Sequence, residues 1–339
     1  MPRPKAIDFL LLPGFPAVCL TAMIEPLRAA NEILGQRAYC WRILSEGGAA
    51  VPCSAEIMFA PDARLADCQI FDLDAFFVLS NVCEGFSEPR VATATLRKLE
   101  RSGVEVGAVS AAVFRLAEAG LLHGRRSSVH WLYKTAFEIR HPGVEICEDL
   151  IVRDGRVTTV SGASAALELM IQDLADAHGT ALATEVACWF QHPTIRGVGV
   201  PQSVPVPGSS RTTMRTGPLV ASAISNLDNS FDGDVSVDDL AAELGVSTRT
   251  LQRRFLREVG QSPMQYVHHL RLTAARDLFR YSDLGATDIA LQVGYASASR
   301  MKARYIDAFG YAPAEERRRW NERRLSRAAV GRKLEEVPT

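Results

Sequence analysis

Two stretches near the C-terminus repeat each other. The first, LAAELGVSTRTLQRRFLREVGQSP, runs from Leu240 to Pro263, and the second, IALQVGYASASRMKARYIDAFGYAP, from Ile289 to Pro313. Ala241 and Gly245 match Ala290 and Gly294, about 49 residues on. Leu251, Phe255, Gly260 and Pro263 match Met301, Tyr305, Gly310 and Pro313, about 50 residues on, so the second copy carries one extra residue in its turn. A repeat at this period means two copies of one supersecondary unit. Here the unit is a short helix, a turn near glycine and a second helix with exposed basic residues. That layout sets a helix in the major groove of DNA. An all-α double helix-turn-helix domain that binds double-stranded DNA is therefore the leading expectation.

In the first unit Leu240, Ala241, Leu244, Val246, Leu251 and Phe255 supply the apolar positions of two packed helices, and Ser247 or Thr248 caps the second. Arg249, Gln252 and Arg253 then share the outward face at i, i+3 and i+4. Arginine pairs well with guanine and glutamine with adenine at the major-groove edge. Arg254 and Arg257 lie to one side and suit phosphates. A single basic helix would read as a solvated charged face; repetition of the whole unit favours DNA. The segment Gln261–Ser282 bridges the units, with Pro263 suited to a helix start and Met264, Val267, Leu270, Ala274 and Leu278 at helical spacing. About 18 residues at 1.5 Å each span roughly 27 Å. That approaches the one-turn spacing of about 34 Å between successive faces of one groove.

The 339 residues suffice for two or three domains. The formal charge of −1 gives no global affinity for nucleic acid, but from Arg211 onward about 20 basic residues face about 16 acidic ones, and the excess reverses in the rest of the chain. The seven cysteines all precede the repeat, are odd in number and show no CxxC pair, which points to free thiols in a reducing cytoplasm. No apolar run reaches membrane-span length, and the N-terminus has too short an apolar core for an export signal. The histidines lack metal-ligand spacing and no phosphate-binding glycine loop is present, so no metal and no cofactor are expected.

Upstream, short apolar runs alternate with amphipathic ones. Ala6–Leu12, Trp41–Ser45, Ala75–Ser80 and Val104–Ser110 read as strands covered on both faces. Leu20–Leu34, Glu88–Ser102 and Ala111–Leu121 read as helices. Val152–Val160 reads as a hairpin turning at Asp154-Gly155, and Ser161–Gly179 as a long helix. This alternation predicts an α/β sandwich with a mainly parallel sheet. The expected organisation is a sensor domain over 1–192, a Pro/Gly/Ser-rich linker over 193–217, a DNA-binding domain over 218–322 and a polar tail over 323–339. Within VGAVSAAVFRLAEAGLL (Val106–Leu122) a buried strand ends at Ser110 and a helix follows at once, the arrangement of a nucleophile elbow. The plainer reading is that Ser110 caps the helix.

LLPGF (Leu11–Phe15), MIEPLRAANEIL (Met23–Leu34), Val106–Trp131 and the Ser161–Gly179 helix, together with the double repeat, resemble the GlxA-type branch of AraC-family transcriptional regulators. The resemblance covers about residues 6–320. It implies a DJ-1/PfpI-like (class I glutamine amidotransferase-like, flavodoxin-like) sandwich joined to the helix-turn-helix domain, with YVHHLRLTAARDLF as the helix between the units and ERRRW in a closing helix. Where DJ-1/PfpI enzymes carry a reactive cysteine, this chain has Ser110; the family's acid and histidine correspond to Glu25 and His130. A Ser110–His130–Glu25 hydrolase is the alternative. The expected reading is a cleft kept as a ligand sensor, without catalytic residues, contacted by Glu25, Ser110, Ala111, His130 and Trp131. Glu25 as a helix-surface carboxylate, and His130 and Trp131 as ordinary half-buried residues, remain open alternatives. Trp41, Phe86 and Trp131 are candidates for a cation-binding pocket.

The resemblance further implies a regulator of catabolic genes for amino acids or amines, an activator working with RNA polymerase, a small-molecule effector, a homodimer through the first domain, and no membrane partner. DNA contacts are expected from Ser247, Arg249, Gln252, Arg253 and Arg254. In the second unit Ser299, Arg300, Lys302 and Arg304 are expected to contact DNA, the three cations mostly through phosphates.

Overall fold

The computed structural model describes residues 3–82, 84–192, 199–202 and 216–322. Contacts divide these residues into two units, one ending at Gln202 and one holding residues 216–322. The polar stretch expected over 323–339 lies outside the described residues.

The first unit contains, in chain order, β1 (Lys5–Leu11), α1 (Ala17–Leu34), β2 (Tyr39–Ser45), β3 (Val51–Pro52), β4 (Met58–Phe59), β5 (Ala63–Arg64), β6 (Ala75–Ser80), α2 (Pro89–Arg101), β7 (Glu105–Ser110), α3 (Val113–Glu118), β8 (Arg126–Ser128), α4 (Lys134–Arg140), β9 (Glu145–Cys147), β10 (Ile151–Asp154), β11 (Val157–Val160), α5 (Ala163–His178) and α6 (Thr180–Trp189). Seven strands form one sheet in the order β10-β11-β7-β6-β1-β2-β5. Every pairing in it is parallel except the β10–β11 hairpin. The near-continuous apolar strands follow from this, because helices cover both faces; all residues of β6 are buried. Phe9, Leu11, Phe77, Leu79 and Val109 point to the face packed by α1, α5 and α6. The residues between them, including Leu10, Phe76, Val78 and Ala108, are buried on the opposite face. From β1 the chain moves first to β2 and later to β6 on the other side. The order of strands reverses there, and in open α/β sheets ligands bind outside the strands' C-terminal ends at such a switch point.

Three differences from expectation have physical reasons. The α3 helix spans Val113–Glu118 rather than Ala111–Leu121, because Ser110–Ala112 form the turn. The pairs β3–β4 and β8–β9 were not predicted, since strands of two or three residues carry no readable period. The expected linker over 193–217 is corrected at Gly199–Gln202, which is paired to the first unit. Leu150 N donates to Val200 O (2.9 Å), Gln202 N donates to Glu148 O (2.8 Å), and Asp149 bridges Pro201. The Gln202 amide accepts from Trp131 N (3.0 Å) and donates to Val129 O (2.8 Å).

The second unit contains α7 (Pro218–Ser230), α8 (Val237–Glu243), α9 (Thr248–Val259), α10 (Pro263–Tyr281), α11 (Ala286–Gln292) and α12 (Ala298–Phe309), and residues 313–322 are helical. The turn between α11 and α12 is one residue longer than that between α8 and α9, as the repeat requires. Gly245, Gly260, Gly294 and Gly310 all have positive φ, which explains why both copies keep glycine at these turns. Pro263 opens α10 behind Ser262, and Ser262 and Gln265 cap it reciprocally. One core joins Leu240, Ala241, Leu251, Phe255, Tyr266 and Val267. Leu278 and Phe279 of α10 are buried, as are Ile289, Ala290, Met301 and Tyr305 of the second repeat, with Tyr305 edge-on to Phe279 at 6.1 Å. Among the described residues no helix is long and apolar enough to cross a membrane.

Candidate nucleic-acid interface and ligand cleft

Helix α9 buries Leu251, Phe255 and Val259 and turns its other side outward. Its N-terminus is capped by Ser247, whose hydroxyl accepts from Thr250 N at 3.3 Å, while Thr248 Oγ1 donates to Asp238 Oδ1 at 2.6 Å. The cap therefore falls to Ser247, and its hydroxyl already has a partner. Arg249, Gln252, Arg253 and Arg254 are exposed and form no hydrogen bond or ion pair among the described residues. Arg257 is exposed too but lies 3.2 Å from Glu258. The outward stripe continues one turn further to Leu256, which is 55% exposed. An aliphatic tip there suits a thymine methyl group. Leu256 was not among the DNA-facing residues expected from the sequence, since that expectation rested on polar and charged side chains.

Helix α12 repeats the arrangement. Ser297 caps it, accepting from Arg300 N at 3.3 Å. Ser299, Arg300, Lys302 and Arg304 are exposed, and Ile306 occupies the place of Leu256. With Arg249, Arg253 and Arg254, the three cations of α12 make six on the second helices of the two repeats that have no hydrogen bond or ion pair among the described residues. Such a surface draws in a polyanion and exchanges its counterions for phosphate contacts. The closing helix behaves differently from its basic sequence. Arg317 points inward and donates to the carbonyls of Phe279, Ser282 and Leu284, and Arg319 lies over the Tyr311 ring.

In the first unit Ser110 ends β7 opposite Ser80 of β6 and adopts φ +58°. This left-handed backbone costs a non-glycine residue about 1–3 kcal/mol and persists only where its surroundings fix it. Val109, Ala111 and Ala112 are fully buried and fix it here. The elbow predicted at this position is therefore present, and the plainer reading is corrected: Ser110 does not cap α3, which begins behind Ala112 without a side-chain cap. Ser110 is 7% exposed. The buried Ser80 hydroxyl beside it has no hydrogen-bond partner among the described residues.

His130 opens a short 3-10 turn, Trp131–Tyr133, and its Nδ1 accepts from Leu132 N at 3.2 Å. The neutral ring thus carries its proton on Nε2, and burial pushes its pKa down. Its ring centroid lies 5.4 Å from that of Trp131 and 5.5 Å from that of Tyr133. A Cβ on Gly162, at the start of α5, would lie 3.5 Å from the ring, so His130 faces the end of β11. Glu25 accepts instead from Arg28 Nε at 2.8 Å, and its side chain is 43% exposed. Among the described residues no hydrogen bond joins Glu25, His130 and Ser110. The linkage a Ser–His–acid relay needs is not formed. Among the described residues no ring contact joins Trp41, Phe86 and Trp131; the Trp131 ring packs against that of His130 instead. Elsewhere, a cavity of about 140 Å³ lies among Arg126, Asp149, Arg153, Glu168 and Val200 and shares no residue with the elbow.

A double helix-turn-helix whose second helices carry cations without partners among the described residues, attached to an α/β domain with an elbow but no relay, defines a DNA-binding regulator. Residues 240–319 match the helix-turn-helix domain family and residues 7–175 the DJ-1/PfpI family. The chain is 33% identical over 313 residues to the HTH-type transcriptional regulator CdhR of Pseudomonas aeruginosa, covering 91% of this chain and 90% of that one. It is 30% identical over 315 residues to the HTH-type transcriptional regulator GbdR of the same species, covering 93% and 84%. The crystal structure of an AraC family transcriptional regulator from Pseudomonas putida shares the fold, with TM-score 0.50 and 22% identity over 55% of this chain and 100% of that one. The chain belongs to the AraC-type helix-turn-helix transcriptional regulators that carry a DJ-1/PfpI domain.

Proposed function

We propose that this regulator is a metabolite-responsive activator of catabolic genes, that its effector is a small amino acid or amine, and that it has no enzymatic activity. The effector occupies the crevice at the C-terminal ends of the strands, contacted by Ser110, the Ala111 amide, His130 and Trp131. Glu25 contributes only if its bond to Arg28 is exchanged. Arg249, Gln252 and Arg253 read bases, and Arg254, Arg300, Lys302 and Arg304 hold phosphates, with Ser299 beside them. The protein works in the cytoplasm as a homodimer through its first domain, and the bound form contacts RNA polymerase.

The observation that carries the sensor reading is the strained Ser110 backbone. The turn that aims a nucleophile is kept, while Glu25 is held by Arg28 and His130 by its own chain. A binding crevice needs the turn's amides and hydroxyl but not the relay. The test is a thermal-shift screen of the full chain against amino acids and quaternary amines. For any hit, Ser110→Ala should weaken binding by about one hydrogen bond, roughly 0.5–1.5 kcal/mol, a shift of about 2- to 12-fold. Turnover of the hit by wild type, abolished in Ser110→Ala, would establish a hydrolase and overturn the reading.

A further inference from the structure

Helix α10 is the spine of the second unit. Its first half gives Tyr266 and Val267 to the core of the first repeat, and its second half carries the buried Leu278 and Phe279, the latter packed on Tyr305 of the second repeat. Arg271 lies between these halves. Its guanidinium donates three hydrogen bonds, all to main-chain carbonyls. Nε reaches Phe231 O at 2.6 Å, Nη2 reaches Gly233 O at 2.7 Å, and Nη1 reaches Gly294 O at 2.8 Å. Phe231 and Gly233 lie in the loop between α7 and α8, just ahead of the first repeat, whose core Phe231 packs against. Gly294 lies in the turn between α11 and α12, in the second. The cation also sits 5.9 Å from the centre of the Tyr295 ring.

The two loops meet directly as well. Gly294 has φ +78°, and a Cβ there would fall 2.6 Å from Asp232 O and 2.9 Å from Arg271 Cζ. Only glycine permits this approach. A planar fork of fixed geometry that binds three carbonyls on two bodies leaves them little freedom to rotate against each other. Arg271 forms no ion pair among the described residues, and its bonded nitrogens all face protein. Its charge serves the join between the repeats.

We propose that Arg271 is a positioning residue that fixes the pitch between α9 and α12, so that one chain reads a two-part DNA site of a single spacing. Inserting one base pair between the parts moves one of them by about 3.4 Å and about 35° around the duplex. A spine able to pivot at Arg271 would follow that displacement, and a clamped one does not.

The experiment uses the full chain and a duplex selected from random-sequence DNA by the wild-type protein. Three labelled probes are titrated: the selected site, the same site with one base pair inserted between its two parts, and the site with one part scrambled. The wild type should lose about tenfold or more on insertion. Arg271→Ala should bind the intact site more weakly and the scrambled probe as the wild type does. It should also lose most of the insertion penalty. Arg271→Lys keeps the charge without the fork and should resemble Arg271→Ala. Gly294→Ala forces the loops apart from the other side and should reduce the same penalty. Circular dichroism confirms folding of each variant; if Arg271→Ala does not fold, Arg271→Lys decides the matter. An equal loss on all three probes, or an insertion penalty unchanged in the variants, would overturn the proposal. So would a wild type indifferent to the insertion.

Discussion

Arg253→Ala should act on DNA recognition and almost nowhere else. In the free protein the Arg253 side chain is exposed and has no partner among the described residues, so truncating it breaks nothing. Helix α9 keeps its Ser247 cap and its buried Leu251, Phe255 and Val259, and alanine is at least as good a helix former as arginine. The whole effect should therefore appear as a change in Kd. A bidentate pair between guanidinium and guanine is worth about 1–3 kcal/mol, which is about a 5- to 150-fold weakening at 25 °C. A phosphate contact would leave a different signature. Its loss weakens every sequence alike and makes the plot of log K against log salt shallower by about 0.9. The assay is fluorescence anisotropy on a selected duplex and on its single-base variants, at several salt concentrations. The variant should become indifferent to the identity of one base pair while its salt slope stays close to that of the wild type. Unchanged affinity for the selected duplex, or a uniform loss with a shallower slope, would refute the orientation that turns Arg249, Gln252 and Arg253 toward the base edges.

Lys302→Ala should give the phosphate signature instead, weakening binding to all duplexes alike, and the same titrations check it. Ser110→Gly relieves a left-handed backbone and should stabilise the first unit by about 1 kcal/mol, with Ser110→Val destabilising it, as urea unfolding would show. Equal midpoints for the two variants would mean that Ser110 stores no strain. Burial pushes the Asp277 carboxyl up to about 7, with Glu316 adding to the effect and Arg276 and Arg280 opposing it. In the unfolded chain an aspartate titrates near about 3.9. The folded form thus holds a proton that the unfolded form has lost, and stability contributed by this group falls as pH rises from about 4 to about 7, then levels off. Asp277→Asn should remove that decline and be more stable than wild type at pH 8; an unaltered pH slope would contradict it.

Much of the architecture was legible because periodicity encodes it. The matched glycines and apolar positions of the two repeats gave both helix pairs, down to the extra residue in the second turn. The run into Ser110 marked the elbow, although capping by the same serine was an equally local reading that only backbone geometry excludes. What stayed hidden depends on direction rather than residue type. Gly199–Gln202 joins the first unit through main-chain bonds and the single Gln202 side chain, which leave no periodic pattern in a stretch rich in proline and glycine. Glu25 fits the family's acid by position, yet Arg28 three residues on competes for it. Arg271 and Arg317 look like further cations of a basic domain, and nothing local reveals that carbonyls claim them. Leu256 follows the opposite rule, an aliphatic residue left in solvent on the outward face of α9.

The division of α10 between two cores bears on how the second unit comes apart. A chain cut after Gly260 would keep α9 but lose the Tyr266 ring that meets Phe255 edge-on at 5.5 Å. A piece starting at Ala286 would lack the Phe279 ring that packs on Tyr305. Neither half can open without stripping a wall from its neighbour, so the repeats melt as one cooperative block rather than in turn. Amide protons in the middle of α10 should then be among the last in this unit to exchange with solvent. Stacked solenoid repeats add up nearly independent units; here the duplication lies in the pattern of residues and not in the unit of folding.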